Sequence, residues 1–255
     1  MQQTLTISGI DLELWVGGKG SELLCLHGAE GFQPDAPYAR ILSAKHRVIA
    51  PSHPGFGGSS LPEWLDSVDD IAHLYLELVD RLGLAKFDLL GCSIGGWIAA
   101  ELATRIPERL RRLVLVGPVG VKLGSRDRLD IPDIFAMSQQ QLDAALYHDP
   151  DKVPIPTKMP DDELRSYLRS RESVAMLAWE PYMHSPKLKH RLHRVGVPTL
   201  FLRGENDGLV SAGYLGGYAA LLPDARTDTI AAAGHFPHLE KPDEFCAKVL
   251  SFVDA

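Results

Sequence analysis

The chain has 255 residues, 45% of them apolar, and a formal net charge of −7 from 26 basic and 33 acidic side chains. That is enough for one α/β domain with a sizeable core, and an acidic balance without a run of Lys or Arg argues against a nucleic-acid partner. No stretch approaches the roughly 18 apolar residues that span a bilayer, the opening M-Q-Q-T-L-T-I-S-G lacks a leader pattern, and three cysteines without C-x-x-C spacing argue against a disulfide scaffold or Cys-rich zinc site; the expected location is cytoplasmic, with no membrane partner.

In chain order, short alternating runs at 5–7 and 12–16 are joined by Ser-Gly and read as strands, and G-G-K-G at 17–20 is a turn into a third strand at 22–26. Those glycines are no phosphate loop, because neither G-K-[ST] nor G-x-G-x-x-G opens a helix there. A helix is expected at 38–44, a strand at 47–50 and a long turn in P-S-H-P-G-F-G-G-S-S at 51–60. Val68, Ile71, Leu74, Tyr75, Leu78 and Leu82 then trace one apolar helix face, with Ser67 as its N-cap. A strand at 86–90 runs into a helix in which Ile94, Trp97, Ile98, Leu102 and Ile106 recur at helical spacing until Pro107, and L-R-R-L-V-L-V at 110–116 is the next strand.

This alternation predicts an α/β fold with a mostly parallel twisted sheet and helices on both faces. From 118 to 194 it breaks: no strong strand signal, dense proline near 150–160, and only short, charged helical stretches. Residues 118–194 are therefore expected to form a helical cap or lid inserted into a core made of 1–117 and 195–255. Strands at 199–203 and 226–230, a helix near 211–221 and a terminal helix complete the core.

The strand-to-helix junction at 91–95 reads G-C-S-I-G. A strand reversing directly into a helix strains the residue at its crest and exposes that side chain, and Gly91 and Gly95 stand where any Cβ would crowd the turn. Ser93 is thus a candidate nucleophile, which needs a base and a group to orient it. Asp207, in R-G-E-N-D-G after one strand, and His235, in A-A-A-G-H-F-P-H-L-E-K-P after another, stand at strand ends, the edge where open α/β sheets bind ligands. Glu205 competes with Asp207 and is expected to be solvated; His238 competes with His235 and is expected in the first turn of the last helix. Cys92, one residue before the crest, reads as a buried inert thiol. The pairs His235/His238 and His190/His193 lack partners for a metal, so neither metal nor cofactor is expected.

With H-G at 27–28, P-G-F-G-G-S at 54–59, G-C-S-I-G at 91–95, G-x-x-D at 204–207 and G-H-F-P-H-L-E-K-P at 234–242, the chain resembles the α/β-hydrolase family over nearly its whole length. The resemblance implies a triad in the order Ser93, Asp207, His235, with an oxyanion hole from the backbone N–H groups of Ile94 and Ala29, Glu30 being the neighbouring alternative. Trp97, Trp179, His238 and Glu30 are candidates for the substrate pocket, although tryptophans in such positions more often serve packing than substrate contact. A carboxylate aimed into an oxyanion hole would oppose the charge formed there, so Glu30 is expected to face solvent or a lid arginine. Arg165, Arg169 and Arg171 could meet a substrate carboxylate, although a solvated helix face explains their spacing better. The implied activity is a serine hydrolase acting on a small-molecule carboxylic ester, lactone or thioester through an acyl-enzyme, as a monomer or homodimer. The alternatives are a carbon–carbon bond hydrolase of ring-cleavage products and a weakly catalytic ligand-binding relative.

Overall fold

In a computed structural model describing residues 1–125 and 127–255, eight strands form one sheet: β1 (Gln2–Ile7), β2 (Ile10–Gly17), β3 (Glu22–Leu26), β4 (Arg47–Pro51), β5 (Phe87–Cys92), β6 (Leu110–Val116), β7 (Thr199–Gly204) and β8 (Ala225–Ile230). Their order is β1-β2-β4-β3-β5-β6-β7-β8, with β2 antiparallel to β1 and β4 and every later pairing parallel. Ser8 and Gly9 close the β1–β2 hairpin with φ of 49° and 78°, the two positive values that a two-residue turn matched to strand twist requires. The chain leaves β3 for β4 on one side and returns to β5 on the other. The carboxyl ends of β3 and β5 therefore flank the switch point where such sheets open a crevice.

Helices cover both faces, as the alternation predicts. On one side α2 (Val68–Arg81) and α3 (Ile94–Arg105) bury Ile71, Leu74, Tyr75, Leu78, Ile98 and Leu102, and the Ser67 hydroxyl caps α2 by accepting from the Asp70 amide. On the other, α1 (Pro37–Ser43) and the terminal α8 (Pro242–Val253) enclose a second apolar cluster that includes Leu42, Phe245 and Val249.

Between β6 and β7 lie α4 (Gln139–Leu146), α5 (Asp161–Ala178) and several 3-10 turns. The 18 residues of α5 make it longer than any other helix described, which corrects the expectation of short stretches. Its inner face includes Ser170, Ser173, Val174 and Leu177, and the serines hide the apolar period. Arg169 donates to the carbonyls of Gly57 (2.7 Å) and Ser59 (2.6 Å), and the Ser173 hydroxyl to that of Gly55 (2.7 Å), so α5 is docked on the glycine-rich turn after β4. Val119, Val121, Val174, Leu177 and Met183 join the same apolar cluster as α2 and α3. Between β7 and β8 the chain forms α6 (Ala212–Ala219) on the α3 side, and after β8 a single turn, α7 (Pro237–Glu240), precedes α8. His238 lies in α7, not α8, because Pro242 lacks the amide needed to continue the turn and must open a new helix.

Candidate active site

Ser93 has φ 53° and ψ −118°, a conformation that costs a residue with a Cβ on the order of 1–3 kcal/mol and persists only where the surroundings impose it. The surroundings do so through close backbone contact. A Cβ on Gly95 would stand 2.2 Å from the His27 carbonyl oxygen, and one on Gly91 2.4 Å from that of Gly95. The Ser93 amide donates to the Val116 carbonyl (2.8 Å), which fixes the crest against β6.

The structure brings Ser93, His235 and Asp207 together. His235 Nε2 lies 2.9 Å from Ser93 Oγ, and its Nδ1 lies 2.9 Å from Asp207 Oδ2. The other Asp207 oxygen accepts from the amides of Leu209 and Val210, both at 2.9 Å, and Arg203 donates to the Asp207 carbonyl at 3.3 Å. Since the carboxylate only accepts, Nδ1 carries the hydrogen and Nε2 of the neutral ring is free to accept from the serine. Burial disfavours a charged His235, yet the Asp207 carboxylate, its hydrogen bond and the charge of Glu30 outweigh that cost and hold the imidazole above its ordinary pKa. Glu205 is exposed and among the described residues accepts only the Ala232 amide, at 3.2 Å.

A network not anticipated from the sequence shapes the loop after β3. The His53 amide donates to His27 Nε2 (3.0 Å), so His27 Nδ1 carries the hydrogen and donates to the Gly28 carbonyl (2.6 Å). His53 Nε2 in turn donates to the His27 carbonyl (2.9 Å), and its Nδ1 accepts from the Tyr75 hydroxyl. Both rings are buried and neutral; burial, together with His27 as neighbour, pushes His53 well below its usual range. The only signal for this in the sequence is a histidine inside each of the two glycine-bearing turns. Among the described residues the Ala29 and Ile94 amides make no hydrogen bond to the protein, and both residues line the cavity beside Ser93.

That cavity has a volume of about 910 Å³ and is roofed by residues from the insertion, including Ile134, Leu142, Tyr167 and Val174. Glu30 lines it, but its side chain is only 7% exposed and pairs with His238 Nε2 at 3.1 Å rather than facing solvent or a lid arginine. Burial opposes ionisation of Glu30, yet the His238 contact lowers its pKa overall. His238 sits behind Glu30, off the cavity. Trp97 and Trp179 do not line it either. Trp97 is 5% exposed and wedged against Gly120, where a Cβ would stand 2.5 Å from its ring, while Trp179, 56% exposed, caps α5 on its outer side and packs on Phe135. Arg165 is exposed, Arg169 is committed to docking, and Arg171 reaches the cavity rim, bonded to Gln139 at 2.8 Å. Cys92 is buried, and burial pushes its thiol well above the usual range.

Glu240, read in the sequence only as part of a pattern, is buried and ties three amides together: those of Gly234, His148 (2.9 Å) and Asp149 (2.7 Å). It links the loop carrying His235 to the insertion. Among the described residues no group of three or more His, Cys, Asp or Glu could hold a metal ion.

Comparison with known proteins fits this geometry. The chain is 26% identical to the 2-hydroxymuconate semialdehyde hydrolase of Pseudomonas putida over 92% of its own length and 88% of that protein's. It is 38% identical to a 2-hydroxy-6-oxo-2,4-heptadienoate hydrolase of Pseudomonas putida over 48% of this chain and 46% of that one. A meta-cleavage product hydrolase from Pseudomonas fluorescens IP01 superposes with a TM-score of 0.80 over 99% of this chain and 97% of that chain, and at 22% identity this likeness speaks for the fold alone. A sequence profile described as "Alpha/beta hydrolase family" matches residues 23–248. With the eight-stranded sheet and the strained turn at Ser93, that match establishes that the chain belongs to the α/β-hydrolase family.

Proposed function

We propose that the chain hydrolyses a small carbonyl compound at the carbon–carbon bond beside a ketone, with Ser93 as nucleophile, His235 as general base and acid, and Asp207 holding the imidazole. The observation that carries this reading is the hydrogen-bonded line from Asp207 through His235 to Ser93, 2.9 Å at each step, at the floor of the cavity. Ser93 Oγ attacks the ketone carbon as Nε2 takes its proton, and the oxyanion rests against the Ala29 and Ile94 amides, the latter at the positive end of α3. Collapse breaks the carbon–carbon bond, and the departing carbon takes the proton from His235. Water, deprotonated by the same ring, then releases the acyl group as a carboxylic acid.

Carbon is a poor leaving group unless its electron pair is delocalised, which restricts the substrate to a conjugated oxo-dienoate or its like; the proton of the 2-hydroxyl moves first to the carbon beside the ketone, so that cleavage of the keto tautomer releases a conjugated dienolate. The two Pseudomonas putida relatives, named for hydrolysis of such compounds, support this choice. The carboxylate of such a substrate would lie toward Lys152, Lys158 and Arg171, exposed cations of the insertion at the cavity rim. Residues 118–194 act as the lid in this reading, over a core of 1–117 and 195–255. The same proposal has the protein work in the cytoplasm as a monomer or homodimer; no described helix is long and apolar enough to cross a membrane.

A second reading, hydrolysis of an uncharged carboxylic ester through the same acyl-enzyme, is favoured by the acidic inner wall, where Glu13 and Glu30 face the cavity. The two separate on kcat/KM for a 2-hydroxy-6-oxo-dienoate, followed by loss of its absorbance, against p-nitrophenyl butyrate. A dienoate preference of a hundredfold or more is expected, and a preference for the butyrate moves the assignment to esters. Ser93→Ala abolishes both activities; unchanged turnover removes the serine mechanism altogether.

A further inference from the structure

The loop after β3 carries two consecutive peptide planes, His27–Gly28 and Gly28–Ala29, and three of their four polar atoms are held. The His27 carbonyl accepts from His53 Nε2 at 2.9 Å, and the Gly28 amide donates to Glu30 Oε1 at 3.2 Å. The Gly28 carbonyl accepts from His27 Nδ1 at 2.6 Å and from the Gly31 amide at 3.3 Å. The fourth, the Ala29 N–H, has no protein partner among the described residues. In a trans peptide the N–H points opposite to the C=O. Holding the Gly28 carbonyl into the loop therefore turns the Ala29 N–H outward, to the cavity that Ala29 lines together with Ser93.

One of these holds reaches beyond the loop. Glu30 Oε1 also stands 3.1 Å from His238 Nε2, and both side chains are almost wholly buried. Gly28 permits the contact, since a Cβ there would stand 2.3 Å from Glu30 Oε2 and 3.1 Å from Ser93 Cβ. The carboxylate thus lies against the backbone on the flank that faces the nucleophile. His238 is three residues past His235, in α7, and its ring is met edge-on by Tyr38 with centroids 5.0 Å apart. The turn that follows the general base is therefore also the turn that steadies the acceptor of the Gly28 amide.

Resting on Ser93 as the nucleophile and on the Ala29 amide as an oxyanion donor, we propose that Glu30 and His238 are positioning residues for that donor. His238 holds the Glu30 carboxylate on the Gly28 N–H, and the carboxylate fixes the peptide planes that aim the Ala29 N–H at the attacked carbonyl oxygen. Their effect passes through the backbone. The oxyanion hole and the general base are in this way set by one connection, from α7 through Glu30 to the loop after β3.

The test compares inhibition by 1,1,1-trifluoro-4-phenylbutan-2-one with inhibition by 4-phenylbutan-2-one, against whichever of p-nitrophenyl butyrate and the oxo-dienoate is turned over faster. Ser93 Oγ adds to the fluorinated carbonyl: an O–C bond forms, the π pair becomes an oxyanion in the hole, and the serine proton goes to His235 Nε2. The plain ketone binds without comparable addition. The ratio of its Ki to that of the fluoroketone reports the oxyanion hole, whereas a pocket that is merely loosened weakens both and leaves the ratio alone.

In Glu30→Ala the ratio is expected to fall about tenfold or more, and kcat with it, while KM stays within about threefold; outright loss of an oxyanion donor costs about 10²–10³. Glu30→Gln removes the same charge but keeps an acceptor for the Gly28 amide, and should restore the ratio to within about threefold of wild type. His238→Ala should lower it about threefold or more. Joined to Glu30→Ala, it should add less than about twofold, since both act through one hydrogen bond. A smaller fall in Glu30→Ala, a Glu30→Gln ratio outside that range, or a further loss in the double variant overturns the proposal. Should Glu30→Ala not fold, His238→Ala decides by the same ratio, and a fall of less than threefold overturns it. A wild-type enzyme that turns over neither substrate and forms no adduct is a separate failure, that of the serine-hydrolase reading.

Discussion

The backbone amide of His235 donates to the carbonyl of Leu146 at 2.7 Å, so the last turn of α4 holds the histidine that faces Ser93. The Gly208 amide likewise donates to Ala145 at 2.9 Å, and Glu240 gathers the amides of Gly234, His148 and Asp149 at the same junction. The insertion between β6 and β7 is therefore bonded to both loops that carry the partners of Ser93.

Glu240→Ala strands the buried Gly234 amide and takes the acceptor from the part-buried amides of His148 and Asp149. Chemical denaturation should show a loss of about 1–3 kcal/mol, with kcat falling tenfold or more through the loosened His235 loop. Unaltered stability would mean that this carboxylate does not clamp the junction.

Asp207→Asn should lower kcat by about 10³ to 10⁴, since an amide in place of the carboxylate can donate to Nδ1 and favours the wrong tautomer. Glu205→Gln, at an exposed carboxylate bonded to the Ala232 amide, should stay within about twofold of wild type. Steady-state kinetics on both variants checks the pair, and the opposite ranking would reassign the acid.

The pH profile follows from the charge around His235. The ring must be neutral to take the serine proton, and its pKa is held above the ordinary value of about 6.5, so kcat/KM should fall as pH drops through a midpoint above 6.5. Glu30 is one of the anions that favour the protonated ring, after Asp207. Glu30→Gln should move that acid limb to lower pH, and a midpoint that stays put or rises would sever the electrostatic link.

Cys92 adjoins the nucleophile but is buried, with its thiol pushed far toward the protonated form. Cys92→Ala should keep kcat within about fivefold, and brief treatment of the wild-type protein with iodoacetamide should leave activity intact. Inactivation that Cys92→Ala prevents would place a reactive thiol in the site.

The elbow was legible in the sequence because its constraint is local: two glycines two residues either side of a serine, between a strand and a helix, leave few other conformations. Asp207 and His235 were legible as positions because parallel strands deliver their ends to one edge. Glu30 was not, since its environment depends on His238, which is far from it in the chain and is brought beside it only by the tertiary fold. For Trp97 and Trp179 the choice between packing and pocket stayed open for a related reason: an aromatic at helical spacing does not reveal whether its face meets a cavity, the core or water. The length of α5 was hidden by Ser170 and Ser173, whose buried faces carry hydroxyls where a periodic pattern would show carbon.

Arg169 and Ser173 hold α5 by main-chain carbonyls of the 55–59 turn, not by its side chains. Attachment and selectivity are therefore written on different residues of the same helix. Ser166 and Tyr167, which line the cavity without belonging to the buried face of α5, can be exchanged to admit new substrates while the anchor stays in place, so libraries built at these two positions should lose fold less often than libraries that touch Arg169 or Ser173.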